Sequence, residues 1–279
     1  MIASFTRNLR RRLLAAASVA GLTAACAHAV PLGRPVPEPF VRSVTLYGHP
    51  LELHLSTLAN THEPLLVFAT GDGGWRGYDL DMYRHLVSWG YPVAGFSAPE
   101  YIKYLRGEDA TTTPVRLATD YMLIVEVARR ELHLRADTPV ILVGVSRGAG
   151  LSVVAAGQRL LQPELAGVLA VALTKEEEHV RFRRRRSSNA SGESLMLQTY
   201  EYLPNLDVVP LEVIQSTNDN YVTAAEAREL FGRDTDHRRL VAVESKNHSF
   251  SDAREQLYAA MEQSLEWLRR RTPAASASN

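Results

Sequence analysis

The pattern of hydrophobic and polar positions changes its period once along the chain. Between residues 41 and 55, apolar and polar residues alternate on both sides of Gly48-His49-Pro50, which predicts an antiparallel hairpin. From residue 65 onward, short apolar runs typical of buried strands alternate with longer segments of helical period. The predicted strands are 65–68, 93–96, 140–145, 168–173, 211–215 and 240–243, and the predicted helices are 78–89, 115–132, 149–161, 224–231 and 250–271. The pattern therefore predicts an α/β fold, with a mostly parallel eight-stranded sheet and helices on both faces.

The ends of the chain lie outside this predicted domain, which covers residues 41–272. Arginines at positions 7 and 10–12 precede an apolar run, and Ala27-His28-Ala29 is a small-x-small cleavage pattern, so residues 1–29 are predicted to be a secretory signal peptide. Residues 30–40 contain four prolines and are predicted to be a linker, and residues 273–279 are predicted to be a disordered tail. We therefore expect a periplasmic or secreted protein.

Cys26 is the single cysteine of the chain. Thr23-Ala24-Ala25-Cys26 resembles a degenerate bacterial lipobox, so a lipid anchor on Cys26 is an alternative to cleavage after Ala29. In both cases the mature protein has no intramolecular disulfide.

The charges of the chain balance, with 31 Lys and Arg residues against 31 Asp and Glu residues. A chain without net charge gives no electrostatic reason to expect a nucleic-acid partner. The Gly-rich stretch 71–74 lacks the Gly-Lys-Ser/Thr of a nucleotide-binding loop. We expect neither a cofactor nor a metal ion, and nothing in the sequence indicates an oligomeric state.

A serine stands at the junction of a predicted strand and a predicted helix. The sequence there is Gly144-Val145-Ser146-Arg147-Gly148, directly after the apolar run 140–143. A G-x-S-x-G motif in this context is the nucleophile elbow of α/β-hydrolases, which exposes the serine at the carboxyl end of a central strand. Gly144 and Gly148 would let the strand and the helix approach closely, since neither carries a Cβ.

The same fold requires an acid and then a histidine later in the chain. Asp219 lies in the loop after the predicted strand 211–215, and His248 lies in the loop after the strand 240–243. The sequence therefore predicts a triad of Ser146, Asp219 and His248, with Asp207 as the alternative acid. In such a triad the histidine takes the proton of the serine, and the acid stabilises the imidazolium.

An oxyanion hole should accompany this triad. The loop after the first parallel strand reads Thr70-Gly71-Asp72-Gly73-Gly74-Trp75, whose backbone can direct N–H groups towards a negative oxygen. The predicted donors are the N–H of Arg147 and that of Asp72 or Gly73.

Two segments are predicted to overhang the site and to select the substrate. Residues 97–112 contain Tyr101 and Tyr104, and the irregular insertion 176–194 is predicted to form a small lid with arginines at 181 and 183–186. Arg183 and its neighbours are either a solvated loop or a site for a phosphate headgroup or an anionic membrane surface. Asp72 and Glu178 are candidate partners of a substrate ammonium group, and Trp75 is a further candidate substrate contact.

The motifs Gly71-Asp72-Gly73-Gly74-Trp75 and G-x-S-x-G, together with the stretch 172–180, resemble the VirJ/AcvB family of bacterial periplasmic virulence-associated proteins. The resemblance spans residues 41–271. Members usually have an aromatic residue on either side of the serine and an acid after the second glycine pair, where this chain has Val145, Arg147 and Gly150. This departure bears on the substrate more than on the mechanism.

The resemblance implies a periplasmic serine hydrolase that removes the aminoacyl group, typically lysyl, from aminoacylated phosphatidylglycerol. The implied substrate is thus a small-molecule or lipid ester. The alternative for such a family is a non-catalytic periplasmic partner of a secretion system that retains the fold.

Overall fold

The computed structural model describes residues 37–46, 48–58, 63–105, 114–181 and 194–271. The predicted signal peptide with Cys26, most of the predicted linker and the predicted tail lie outside these residues.

One mixed sheet forms the centre of the domain. Its eight strands are β1 Phe40–Leu46, β2 His49–Ser56, β3 Leu65–Ala69, β4 Val93–Phe96, β5 Val140–Val145, β6 Leu165–Val171, β9 Leu211–Ser216 and β10 Arg238–Val243. Their order in the sheet is β1-β2-β4-β3-β5-β6-β9-β10, and within this sheet only the pairs β1–β2 and β2–β4 are antiparallel. The prediction of a mostly parallel eight-stranded sheet is confirmed.

Helices cover both faces of the sheet, as the apolar runs of its central strands require. The helices are α1 Gly77–Ser88, α2 Ala98–Leu105, α3 Pro114–Glu131, α4 Arg147–Ala156, α5 Ala224–Phe231 and α6 Arg254–Arg271. Apolar residues of α1 and α6 pack in one core cluster, whereas those of α2, α3, α4 and α5 pack in the other. None of the helices within the described ranges is long and apolar enough to cross a membrane.

Two helix boundaries differ from the predicted ones by four residues or more. Helix α6 begins at Arg254 rather than at 250, because the chain first makes a turn in which Phe250 has a φ of 51°. Helix α4 ends at Ala156, directly before Gly157, and the residues 162–164 form a separate short 3₁₀ helix. In both places the apolar periodicity continues past the helix, because these turns also bury apolar side chains.

The insertion between β6 and β9 was predicted to be irregular, and this prediction is wrong for its two ends. Strands β7 Glu176–Arg181 and β8 Ser194–Gln198 pair in a separate antiparallel two-stranded sheet. The first of these strands begins with three glutamates and shows no apolar alternation, so hydrophobic patterning does not reveal it. Residues 182–193, which include Arg183, lie outside the described residues.

Candidate active site

Ser146 stands at the sharp turn from β5 into α4. Its φ of 51° and ψ of −114° lie in a region that residues other than glycine rarely adopt. A Cβ on Gly144 would lie 2.2 Å from the carbonyl oxygen of Gly148, and a Cβ on Gly148 would lie 2.1 Å from that of Ala69. The predicted close approach of strand and helix is confirmed, and it holds the strained serine at the carboxyl end of the sheet.

His248 lies between Ser146 and Asp219. Its Nε2 is 2.8 Å from Ser146 Oγ, and its Nδ1 is 2.7 Å from Asp219 Oδ2. The carboxylate fixes the tautomer, because an Nδ1–H that donates to Asp219 leaves Nε2 as the acceptor of the serine proton. The structure therefore brings the three residues of the predicted triad into one hydrogen-bonded chain.

Asp219 is held by the loop that follows β9. Gln215 Nε2 donates to Asp219 Oδ2 over 3.1 Å, while the backbone N–H groups of Tyr221 and Val222 donate to Oδ1 over 2.8 and 3.3 Å. With its side chain wholly buried, Asp219 thus has four donors, including His248. Such a set of donors holds the carboxylate in one orientation, with Oδ2 directed at His248.

The Gly-rich loop after β3 makes a tight turn beside Ser146. Gly74 N–H donates to the carbonyl of Gly71 over 3.1 Å, which leaves Asp72 and Gly73 at the exposed centre of the turn. Among the residues that the structure describes, no acceptor is bonded to the N–H of Asp72 or of Gly73. The side chain of Asp72 accepts a hydrogen bond from Arg147 Nε, so the two predicted sources of oxyanion donors are joined by an ion pair.

A cavity of about 880 Å³ opens over Ser146 and His248. Its size is ordinary for a small-molecule site. Its wall carries charged side chains of both signs: Asp72, Asp79, Glu176, Arg76, Arg147 and Lys175. The cavity can therefore contact both a cationic and an anionic part of a substrate.

Asp79 is the buried carboxylate of this wall. It lies in the first turn of α1, and its Oδ1 accepts the N–H of Gly71 over 2.9 Å. Burial raises the pKa of Asp79 to about 6, while the Gly71 hydrogen bond and the charge of Arg254 act in the opposite direction. The negative charge is thus poorly compensated next to the predicted oxyanion loop.

Two of the predicted substrate contacts do not line this cavity. Tyr101 belongs to α2 and is 2% exposed, and its hydroxyl donates to Asp120 within the core, because the segment after β4 folds into a helix rather than over the site. Trp75 stacks on His54 with ring centroids 3.8 Å apart and lines a different cavity. Its ring fills the space over Gly95, where a Cβ would lie 2.5 Å from it.

The structure does not test the remaining predicted substrate contacts, Tyr104, Glu178 and Arg183. The side chains of Tyr104 and Glu178, and the whole of Arg183, lie outside the described residues.

Sequence reasoning missed three side chains of the site. In the sequence, Asp79 has the pattern of an ordinary acidic residue in the first turn of a helix, and Gln215 has that of the last residue of a predicted strand. Tyr221 is exposed at the cavity, and its ring meets that of His248 edge-on with centroids 4.7 Å apart. Its position two residues after Asp219, in a loop at the carboxyl end of the sheet, is the one signal that could have indicated it.

The described part of the chain contains no group of three or more His, Cys, Asp or Glu side chains that could hold a metal ion.

Several solved structures have a similar fold. Est1E from Butyrivibrio proteoclasticus is 14% identical with a TM-score of 0.60, and the match covers 82% of this chain and 98% of that one. For an alpha-beta serine hydrolase homologue from Coxiella burnetii the identity is 12% and the TM-score 0.57, with 82% and 99% covered. For a soluble variant of monoglyceride lipase from Saccharomyces cerevisiae the identity is 13% and the TM-score 0.55, with 88% and 99% covered. At these identities the likeness shows the α/β-hydrolase fold.

The sequence itself matches no curated protein. It does match the model of a family described as bacterial virulence protein (VirJ), over residues 63–263. These residues contain the Gly-rich loop, the elbow and all three members of the hydrogen-bonded chain. Since the match extends over most of its length, the chain belongs to the VirJ family.

Proposed function

We propose that the protein is an exported serine hydrolase that cleaves a carboxylic ester. The observation that carries this proposal is the chain of hydrogen bonds from Ser146 Oγ through His248 to Asp219, with distances of 2.8 and 2.7 Å. The strained elbow supports it further, because a φ of 51° at a serine is retained only where the surrounding structure enforces it.

The reaction follows from the positions of these groups. Ser146 Oγ attacks the ester carbonyl while its proton passes to His248 Nε2, and Asp219 stabilises the imidazolium that forms. The negative oxygen of the tetrahedral intermediate accepts the N–H of Arg147 and that of Asp72 or Gly73. His248 then gives its proton to the departing alcohol, and a water molecule, activated by the same histidine, releases the acid from Ser146.

The finer proposal concerns the substrate, which we infer to be an aminoacyl ester of an anionic lipid such as aminoacyl-phosphatidylglycerol. Membership of the VirJ family supports it, and so does the mixed charge of the cavity wall. Carboxylates such as Asp72 and Glu176 suit an ammonium group, and Arg76 and Lys175 suit a phosphate. The basic and apolar residues at the start of the chain support export.

Labelling with a fluorophosphonate probe tests the reaction class. The probe should label the wild-type protein and should leave Ser146→Ala unlabelled, since the covalent bond forms at the serine oxygen. Ser152→Ala is a matched control, because Ser152 lies on α4 near the elbow but is buried against Tyr121. A folded wild type that takes up no label would instead indicate a non-catalytic binding protein.

Vesicles that contain lysyl-phosphatidylglycerol test the substrate. The wild type should release free lysine, measured by mass spectrometry, and Ser146→Ala should release none above the spontaneous rate. Labelling by fluorophosphonate without release of lysine would retain the reaction class and exclude this substrate.

A further inference from the structure

A buried carboxylate contacts the loop that supplies oxyanion donors in the proposed reaction. Asp79 is 5% exposed and belongs to the first turn of α1. Its Oδ1 accepts the N–H of Gly71 over 2.9 Å. Gly71 is the first residue of the turn that carries Asp72 and Gly73, and so this one hydrogen bond fixes the start of the turn.

The other carboxylate oxygen lies against the end of the same turn. A Cβ on Gly73 would be 3.0 Å from Asp79 Oδ2, which is closer than ordinary van der Waals contact. The same turn also adjoins the nucleophile, since a Cβ on Gly71 would be 3.5 Å from Ser146 Cβ and 3.7 Å from Asp79 Oδ1. The turn therefore contacts both the carboxylate and the serine, and a side chain at Gly73 would crowd Asp79 Oδ2.

We propose that Asp79 is a positioning residue of the reaction, which holds the Gly71–Gly73 turn at the distance from Ser146 that the oxyanion requires. It acts through the backbone of the turn and does not touch the substrate. This inference rests on the proposed function, because an oxyanion hole has a role only if Ser146 attacks a carbonyl. The contrasting role is purely structural, that of an acid at the start of a helix.

The two roles differ in their effect on stability. Burial raises the pKa of Asp79 from 3.8 to about 6, so the folded protein binds this proton more tightly than the unfolded chain does. Stability from this group is therefore present at low pH and is lost as the pH rises towards 6. Above that pH the ionised carboxylate destabilises the fold, and an uncharged amide in its place should not.

Several groups from neighbouring elements act on this carboxylate. The Gly71 hydrogen bond and the Arg254 charge lower its pKa, whereas Asp72 raises it, and two phenols of α1 and α6 also lie near it. These groups are Gly71, Asp72, Arg254, Tyr78 and Tyr258. Together they do not offset the effect of burial.

The test compares Asp79→Asn with Asp120→Asn. Asp120 is a matched control because it is 4% exposed and lies on a helix. It accepts the hydroxyl of Tyr101, however, in the core cluster on the other face of the sheet from α1. The steady-state kinetics of a small neutral ester, p-nitrophenyl butyrate, give kcat and KM, and urea denaturation gives the stability of each variant.

At pH 7.5, Asp79→Asn should lower kcat by about threefold to tenfold, because a neutral amide oxygen accepts the Gly71 N–H more weakly than a carboxylate does and holds the turn less firmly. KM should stay within about twofold, because the turn contacts the oxygen only when it becomes negative. Its urea midpoint should equal or exceed that of the wild type. The ratio of wild-type to variant kcat should shrink as the pH falls through about 6, since the wild type then also carries a neutral group at position 79. Asp120→Asn should leave kcat unchanged.

An unchanged kcat in Asp79→Asn would overturn the inference, as would a loss that accompanies a lower urea midpoint or that Asp120→Asn shares. A ratio that does not depend on pH would overturn it too. The proposed function fails separately, when the wild type has no turnover that Ser146→Ala abolishes, and the inference then falls with it.

Discussion

Two buried aspartates, Asp79 and Asp219, belong to the site around Ser146, and their surroundings differ. Asp219 has four donors, namely the ring of His248, the amide of Gln215 and two backbone N–H groups. Asp79 has one donor among the described residues, the N–H of Gly71. Both side chains are almost inaccessible to water.

Since both carboxylates are buried, the number of hydrogen-bond donors around each one, more than burial itself, determines which role it can have in the site. A fully bonded anion such as Asp219 is suited to stabilise a positive charge that appears on His248 during the reaction. Asp79 has only one hydrogen-bond donor among the described residues, and burial raises its pKa to about 6. Such a group contributes little to stability at neutral pH, which agrees with the positioning role proposed for it above.

Among substitutions of these two aspartates and their partners, we expect Asp219→Asn to cause the largest loss of kcat. The amide can no longer hold the Nδ1–H tautomer, so kcat on a small ester should fall by about 10⁴-fold while the fold is retained. Stopped-flow or steady-state hydrolysis measures the loss, and circular dichroism checks the fold.

Asp207→Asn is the control for this change, since Asp207 is the alternative acid of the sequence-based prediction. Asp207 follows the short 3₁₀ helix Thr199–Leu206 and lines a cavity other than that of Ser146. Its replacement should change kcat by less than about twofold. The opposite pattern, a mild Asp219→Asn and a crippling Asp207→Asn, would contradict the assignment.

The sequence predicted the fold and the order of the triad for a physical reason. Parallel strands end at one edge of the sheet, so polar residues directly after strands, such as Asp219 and His248, are brought together whatever the loops do. The continuous apolar runs of β3, β5, β6 and β9 also predict buried strands from the sequence alone.

The parts that the sequence did not predict depend on pairings across the fold. Trp75 turns towards His54 because Gly95, on another strand, leaves room for its ring. Tyr101 points into the core because its helix packs there, and the strand β7 depends on its partner β8. Neither Asp79 nor Gln215 differs in local pattern from residues that have no role in the site.

Gln215→Leu should cause a smaller loss of kcat than Asp219→Asn. It removes one of the four hydrogen-bond donors of Asp219 and so makes its surroundings more like those of Asp79. Gln215 Nε2 donates to Asp219 Oδ2 over 3.1 Å and to the carbonyl of Val222 over 2.6 Å. Leucine would leave both acceptors buried with fewer donors, so the free energy of unfolding should fall by about 1–3 kcal/mol. We also expect roughly a tenfold loss of kcat, since Asp219 would hold His248 less firmly.

Urea denaturation and ester hydrolysis measure the two changes. Gln158→Leu is the matched control, because Gln158 Nε2 donates to the carbonyl of Val154 away from the site. It should leave kcat unchanged. Wild-type stability and kcat in Gln215→Leu would mean that the remaining donors of Asp219 suffice.

The smallest effect should come from Asp72→Asn, which removes the ion pair with Arg147 at the mouth of the cavity. The side chain of Asp72 is 67% exposed, and an exposed pair contributes about 0–1 kcal/mol because water and salt screen it. The backbone N–H of residue 72, one of the candidate oxyanion donors, is retained. We therefore expect kcat to change by less than about threefold at physiological salt and the change to vanish in 1 M NaCl. A loss as large as that of Asp79→Asn, and independent of salt, would show that the exposed pair positions the turn as much as the buried carboxylate does.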